Sequence, residues 1–260
     1  MTNEKVVVII PTYNEALVIA DTIHQVFAAT QDMPGFTLEI LIFDSASTDD
    51  TQAIVGDLIT QYAGKLHLQV EPKKTGLGSA YAQSMKYALL TLQADVVVEF
   101  DADLSHQPQY LPPMLALLKT CAVVIGSRYL AGGSIPANWG LKRKCLSILG
   151  NQVARMALTR RYYDFTSGFR ATRRETLLTV LPDSFYSNHY AYKLHLLWIL
   201  HKSKARILEY PIQFVDREKG VSKLPANSIK DALRVIAKLR YVQAVRFVRN
   251  RILQPSRDRS

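Results

Sequence analysis

The chain has 260 residues, 48% hydrophobic and 21% charged, with a formal net charge of +10. This is the make-up of a globular protein long enough for one large α/β domain with a full core. Two cysteines form neither a zinc motif nor a disulfide framework and fit a reducing cytoplasm. No segment approaches the ~18 uninterrupted apolar residues of a membrane-spanning helix, and Met1–Lys5 leads into a strand without a signal-peptide pattern.

Val6–Ile10 is the first apolar strand run, and it ends in Pro11-Thr12-Tyr13-Asn14-Glu15. The G-x-G-x-x-G of a dinucleotide site is absent there. Helical spacing covers Glu15–Thr30. Leu38–Phe43 is the second run, followed by Asp44-Ser45-Ala46-Ser47-Thr48-Asp49-Asp50-Thr51. A carboxylate such as Asp44 at a strand end can accept hydrogen bonds from a base or ribose. Thr48 or Asp49 can equally cap the helix expected over Asp49–Tyr62, and we read Asp49 as the cap. Leu66–Val70 is a weaker strand, followed by Lys73-Lys74-Thr75-Gly76-Leu77-Gly78. Its glycines permit close backbone approach and its lysines offer point charges to a pyrophosphate, although Gly-x-Gly before a helix is often only a turn. Leu77–Leu92 is helical in spacing.

Val96–Phe100 then runs into Asp101-Ala102-Asp103-Leu104-Ser105-His106. In an extended segment residues i and i+2 share a side, so Asp101 and Asp103 converge at the carboxyl end of a strand. Ligands of open α/β sheets bind at that end. Two hard oxygen ligands suit Mg²⁺ or Mn²⁺ bridging phosphate oxygens; the same pair taken alone also reads as an acidic turn. Gln109–Leu118 is a further helix and Ala122–Ile125 a further strand. Beyond Gly126 come a loop at Gly132–Pro136, a long helix at Leu141–Leu158 with a basic start, and a strand within Arg206–Phe214. The alternation predicts an α/β fold, a mostly parallel sheet with helices on both faces.

From Asn227 onward nine Lys/Arg stand against two Asp, which places +7 of the net +10 in the tail. Ile229, Ala232, Leu233, Ile236 and Leu239 fall on one helical face, and Lys230, Arg234 and Lys238 on the other. Such a helix lies on an anionic membrane surface or docks on its own domain with the basic side outward. Nucleic acid is the weaker third partner, because no binding module accompanies the charge.

The order of these motifs resembles that of family 2 glycosyltransferases of GT-A fold, and within them the dolichol-phosphate (polyprenol-phosphate) mannosyltransferases. The likeness continues through Gly126-Ser127-Arg128-Tyr129, Trp139-x-Leu141-Lys142-Arg143-Lys144, Asp164-x-Thr166-Ser167-Gly168-Phe169-Arg170 and Asp216-Arg217-x-x-Gly220-x-Ser222-Lys223-Leu224. It implies a GT-A glycosyltransferase domain over residues 1–225 and a basic helical tail over 226–260. It further implies an inverting transfer of a hexose, mannose foremost, from a nucleotide sugar, GDP-mannose foremost, to polyprenyl or dolichyl phosphate. Alternatives are a UDP-sugar donor carrying glucose or N-acetylglucosamine, and a catalytically degenerate member acting as a scaffold.

By this resemblance Asp101, Asp103, Arg128 and Arg217 carry catalysis. Pro11, Tyr13, Glu15, Asp44, Lys74, Gly76, Ala102 and Lys223 join those four around the nucleotide sugar. Asp101, Asp103 and Ser105 hold the metal, and Arg143 faces the acceptor phosphate or lipid headgroups. His106 is read as part of the site wall, and Gly168 as the shaper of a turn. The implied setting is peripheral, on the cytoplasmic side of a membrane, through the tail or a membrane-embedded partner subunit.

Two positions depart from the family pattern. Ser45 stands where a second aspartate is usual. Tyr192-Lys193-Leu194-His195 stands where Phe-Gln-x-Glu is usual, which exchanges an amide and a carboxylate for a cation and an imidazole. Lys193 and His195 are therefore expected to bind the acceptor phosphate; the competing expectation is a lost orienting hydrogen bond and lower activity.

Overall fold

The computed structural model describes residues 3–216 and 227–253. Among the described residues seven strands form one sheet: β1 (Glu4–Thr12), β2 (Phe36–Asp44), β3 (Leu66–Val70), β4 (Val96–Glu99), β5 (Val123–Ser127), β6 (Arg170–Arg173) and β7 (Ile207–Pro211). Their spatial order is β3-β2-β1-β4-β6-β5-β7. All neighbours run parallel except β6, which is antiparallel to both β4 and β5. The expected α/β fold with a mostly parallel sheet is thus the observed one.

The strand runs are apolar throughout because both faces are covered. Val7, Ile9 and Val97 point into one core layer, and Val6, Val8, Ile10, Val96 and Val98 into the other, as the two-residue period of a strand requires. Helices α1 (Ile19–Thr30) and α2 (Thr51–Gln61) cover the second layer, with Ile19, Ile23 and Val26 of α1 buried at helical spacing. Helix α3 (Leu77–Leu90) lies on the first layer, and the short α4 (Leu111–Leu117), with prolines in its opening turn, on the second.

Helix α1 begins four residues later than its apolar spacing suggests. Asn14 is left-handed, with φ 53°. The N–H groups of Glu15 and Ala16 are taken by Thr51 Oγ1 and Asp49 Oδ2. Those bonds hold the stretch as a loop stapled to the neighbouring strand end.

In the second half, α5 (Leu141–Ala157) buries only Asn151 and Ala154. Helix α6 (Arg174–Val180) follows β6, and α7 (Tyr192–Lys202) buries eight of its eleven residues. Helix α8 (Ser228–Leu253) starts the basic tail. Its buried seam is Val235, Ile236 and Leu239, with Ala232 packed beside them. The expected apolar face is therefore rotated: Ile229 and Leu233 are about half exposed, and the seam joins the core layer of α3 and α7. Farther along, Tyr241, Val245, Phe247 and Val248 are exposed together with Arg240, Arg246 and Arg249.

Candidate active site

The carboxyl ends of β1, β2, β4 and β5 and the start of β6 lie at one edge of the sheet, as the pairing registers require. Three loops at this edge carry a non-glycine residue in the left-handed region: Asn14, Ala46 and Leu104, at φ 53°, 56° and 55°. Such backbone concentrates where surrounding contacts over-determine it, often at functional sites.

The loops after β1 and β2 are built around Asp44. Its carboxylate is fully buried and accepts from Thr12 Oγ1 at 2.8 Å, Ser47 N at 2.8 Å, Ser47 Oγ at 2.5 Å and Gln52 Nε2 at 2.7 Å. These donors saturate it. The expectation that Asp44 receives hydrogen bonds from a base or ribose gives way to a structural knot that fixes the loop. Asn14 and Thr48 bond each other across the gap, with Thr48 N donating to Asn14 Oδ1 at 2.8 Å. Asp49 accepts from Thr51 N and Oγ1 at the start of α2, one residue before the cap position, and from Ala16 N. Burial works against its charge, yet these donors hold its carboxyl below the ordinary range. Ser45 is buried, and its N–H donates to Thr12 O. Pro11 is the last but one residue of β1, paired with Phe43.

Tyr13 and Lys74 come together from separate loops, with the Lys74 ammonium 3.2 Å from the ring centroid. Gly76 and Gly78 are packed against backbone. A Cβ there would lie 2.4 Å from Asn188 O, and one at Gly78 would lie 2.3 Å from Ser187 O. Gly78 N donates to Asn188 O at 2.9 Å. The two glycines, Gly76 at φ +106°, admit the 187–188 backbone.

Strand β4 ends at Glu99, and the chain turns at Ala102 and Asp103. Asp101 and Asp103 therefore sit at this turn, beyond the strand; both act electrostatically on His106. Ser105 Oγ donates to Asp103 Oδ1 at 2.6 Å and orients it. His106 is buried against Phe100, Phe169 and Phe214, with Nδ1 3.4 Å from Asp101 Oδ2. Burial pushes its pKa down to about 4 against the pull of Asp101, so the ring is neutral at pH 7.

Two buried ion pairs flank this turn. Arg128 grips Asp164 through Nε at 2.7 Å and Nη2 at 2.8 Å, and Nη2 also reaches Thr166 Oγ1. Burial opposes the charge of each, but each partner more than restores the other: Arg128 is pushed up and Asp164 held down. Glu209 accepts from Tyr163 N and Asp164 N, and Asn151 Oδ1 accepts from Phe165 N, which fixes the loop that carries Asp164. The second pair is Glu99 with Arg170, directly opposed between β4 and β6. Arg170 Nε lies 2.9 Å from Glu99 Oε2, in ionic contact but outside hydrogen-bond geometry. Tyr192 Oη donates to Glu99 Oε1 at 2.9 Å. Burial pushes the Glu99 carboxyl up, and Arg170 and Tyr192 counter it.

Lys193, on the first turn of α7, is 4% exposed and stands beside Asp101. A Cβ on Gly168 would lie 2.3 Å from Lys193 Nζ and 3.2 Å from Asp101 Oδ1. Glycine at 168, on a bend of the chain, leaves this space to the lysine side chain. His195 does not share this place. Two residues apart on a helix, the side chains diverge. His195 stacks on Tyr186 at 4.0 Å between ring centroids and accepts from Tyr186 N through Nδ1. Burial, helped by Lys238, lowers its pKa to about 4. Its expected phosphate-binding role is replaced by packing.

Arg143 sits at the start of α5, 3.9 Å over the Trp139 ring and 3.4 Å from Asp216. Trp139 meets Phe214, which meets His106, so an aromatic wall joins Arg143 to the aspartate turn. Arg217 and Lys223 lie outside the described residues. Sequence reading missed Glu99, Arg170, Asp164 and Tyr192. Glu99 shows as a charge inside an apolar run, and Asp164, Arg170 and Tyr192 lie in the segments compared with the family pattern, without a role attached.

Among the described residues no group of three or more His, Cys, Asp or Glu could hold a metal by protein ligands alone. Asp101 and Asp103 fit instead an ion whose remaining ligands are diphosphate oxygens and water, the usual manner of Mg²⁺.

Undecaprenyl-phosphate mannosyltransferase of Micrococcus luteus is 35% identical over 232 residues, covering 88% of this chain and 91% of its own length. Polyprenol monophosphomannose synthase of Mycolicibacterium smegmatis is 34% identical over 235 residues, covering 90% and 86%. Mannosyltransferase PcManGT of Pyrobaculum calidifontis, solved with GDP-Man and Mn²⁺, superposes with a TM-score of 0.58 at 20% identity over 95% of this chain and 65% of that one, a likeness of fold. The sequence model described as glycosyl transferase family 2 matches residues 7–181, from the first buried strand through the aspartate turn to the end of α6, and with this GT-A architecture the chain belongs to that family of enzymes.

Proposed function

We propose that the chain transfers mannose from GDP-mannose to a polyprenyl phosphate at the cytoplasmic face of a membrane, with inversion. The observation that carries this reading is the match, over most of both lengths, to two relatives named for mannose on a polyprenyl phosphate. We take residues 1–225 as the catalytic unit and 226–260 as its basic extension.

In this reading Tyr13, Lys74 and Glu15 receive the nucleoside end of the donor, and Asp44 keeps their loops in register. Asp101 and Asp103, the latter set by Ser105, face the diphosphate. A divalent ion there, Mg²⁺ or Mn²⁺, would neutralise the charge that develops as the diphosphate leaves. Arg128, with both orientation and charge fixed by Asp164, contributes positive potential beside it, and Arg217 and Lys223 act as further phosphate clamps. Arg143 faces the acceptor phosphate, whose oxygen attacks the anomeric carbon opposite the departing diphosphate.

A phosphate monoester has its second pKa near ~6 and is largely dianionic at pH 7. It needs alignment more than a general base. The neutral, enclosed His106 agrees with that economy.

Among the described residues no helix is long and apolar enough to cross a membrane. Peripheral docking is supported by Leu141, Leu146 and Leu149, exposed on α5 beside Lys142, Arg143 and Lys144, and by the exposed residues 244–249 of α8.

The test is transfer from a panel of GDP- and UDP-sugars to a short polyprenyl phosphate with Mg²⁺ or Mn²⁺. Mannose transfer from GDP-mannose, reduced about 10²–10³-fold in Asp103→Asn at an unchanged unfolding midpoint, is the expected result. Transfer from a UDP-sugar alone would replace the donor, and no transfer from any donor would overturn the reading.

A further inference from the structure

We infer that the Lys193 ammonium is a fixed internal cation of the donor-diphosphate site: it shares the Asp101 carboxylate with the divalent ion, weakens the hold on that ion, and lets the diphosphate bind without it. The inference rests on the reading that the aspartate turn takes a nucleoside diphosphate.

Lysine is almost never buried unless something anionic holds it, yet Lys193 is 4% exposed. Its ammonium and Asp101 Oδ1 flank one point, the place a side chain at residue 168 would fill. Glycine leaves that space to the ammonium. The root of the side chain is fixed on both sides. Lys193 N donates to Tyr190 O at 3.2 Å. Its neighbour Tyr192 is tied to Glu99.

Among the described residues the other two buried cations of this edge are matched, Arg128 by Asp164 and Arg170 by Glu99. Lys193 adds its charge to that of Arg128 on the Asp101 side. Its charge reaches the groups on either hand, Glu99 and His106.

A unit cation at this range repels a second cation and attracts a diphosphate. Both effects belong to one side chain, so they must change together when it is neutralised.

The experiment titrates Mn²⁺ into nucleotide-free enzyme by electron paramagnetic resonance. In parallel it titrates GDP by calorimetry, once with Mn²⁺ and once with EDTA. Wild type, Lys193→Gln, Lys193→Arg and Gly168→Ala are compared, the last because its methyl group displaces the ammonium without removing its charge. Lys193→Gln is expected to bind Mn²⁺ about tenfold more tightly, and to lose about tenfold in GDP affinity under EDTA but little with Mn²⁺. Lys193→Arg should behave as wild type, and Gly168→Ala should shift part of the way toward Lys193→Gln.

The inference is overturned if Lys193→Gln leaves both the Mn²⁺ affinity and the EDTA affinity unchanged. It is equally overturned if wild type binds GDP only with Mn²⁺, a result that does not depend on any variant folding. Failure of wild type to bind GDP under both conditions would sink the donor reading itself, while the Mn²⁺ titration would still decide how Lys193 acts on Asp101.

Discussion

The loops after β1 and β2 and those around the start of β6 meet at one sheet edge but are fixed by different forces. On the first side one carboxylate, Asp44, gathers hydroxyl, amide and backbone donors from Thr12, Ser47 and Gln52. On the second, whole charges are matched below the surface, Arg128 with Asp164 and Arg170 with Glu99. The first design orders a loop with contacts that are short in sequence or come from the adjacent strand. The second sets an electrostatic potential where a diphosphate is expected, and it reaches across 36 and 71 residues to do so.

The contrast breaks most sharply if one ion of the second side is removed. Asp164→Ala strands a buried guanidinium, and we expect a loss of about 3–5 kcal/mol in denaturant-induced unfolding. Asp44→Ala leaves several smaller donors unmatched, of which Ser47 and Gln52 are only partly buried. About 1.5–3 kcal/mol is expected, and a loss equal to that of Asp164→Ala would erase the distinction.

Much of the fold was legible because it is local. The runs at Val6–Ile10 and Val96–Phe100 are apolar for the plain reason that both sheet faces are covered, and the aspartate turn follows the second run directly. Strand β6 was illegible. It is four residues, Arg170–Arg173, and its first side chain is buried by pairing with Glu99, a partner far away in sequence. Helix α7 has no clear apolar period in the sequence, because eight of its eleven residues are buried, and the pairing of Lys193 with His195 fails because a helix sends them apart. The saturation of Asp44 had no sequence signal, since a strand-end aspartate looks the same whether its acceptors are filled or open.

A smaller effect tests the joint between α7 and α8. The folded pKa of His195, about 4, lies below its usual value, so the unfolded chain binds the extra proton first. Its contribution is complete above about pH 6.5 and is lost as pH falls toward 4. His195→Gln should flatten that acid limb by about 1–2 kcal/mol, read as unfolding free energy against pH. An unchanged limb would mean the ring is less enclosed than its stacking on Tyr186 indicates.

Smallest of all, Arg246→Gln on the exposed part of α8 should weaken binding to vesicles of anionic lipid by about 1 kcal/mol without moving the unfolding midpoint. No change at low salt would remove that turn from the membrane contact.

The two halves of α8 also divide the gene. Val235, Ile236 and Leu239 complete a core layer, and Lys238 lies 3.9 Å over the Tyr186 ring that carries His195. A stop codon before Val235 therefore deletes interior and yields a product that proteolysis would clear. A stop codon just after Leu239 spares the interior and deletes the outward turns, leaving an enzyme that folds without its exposed basic extension.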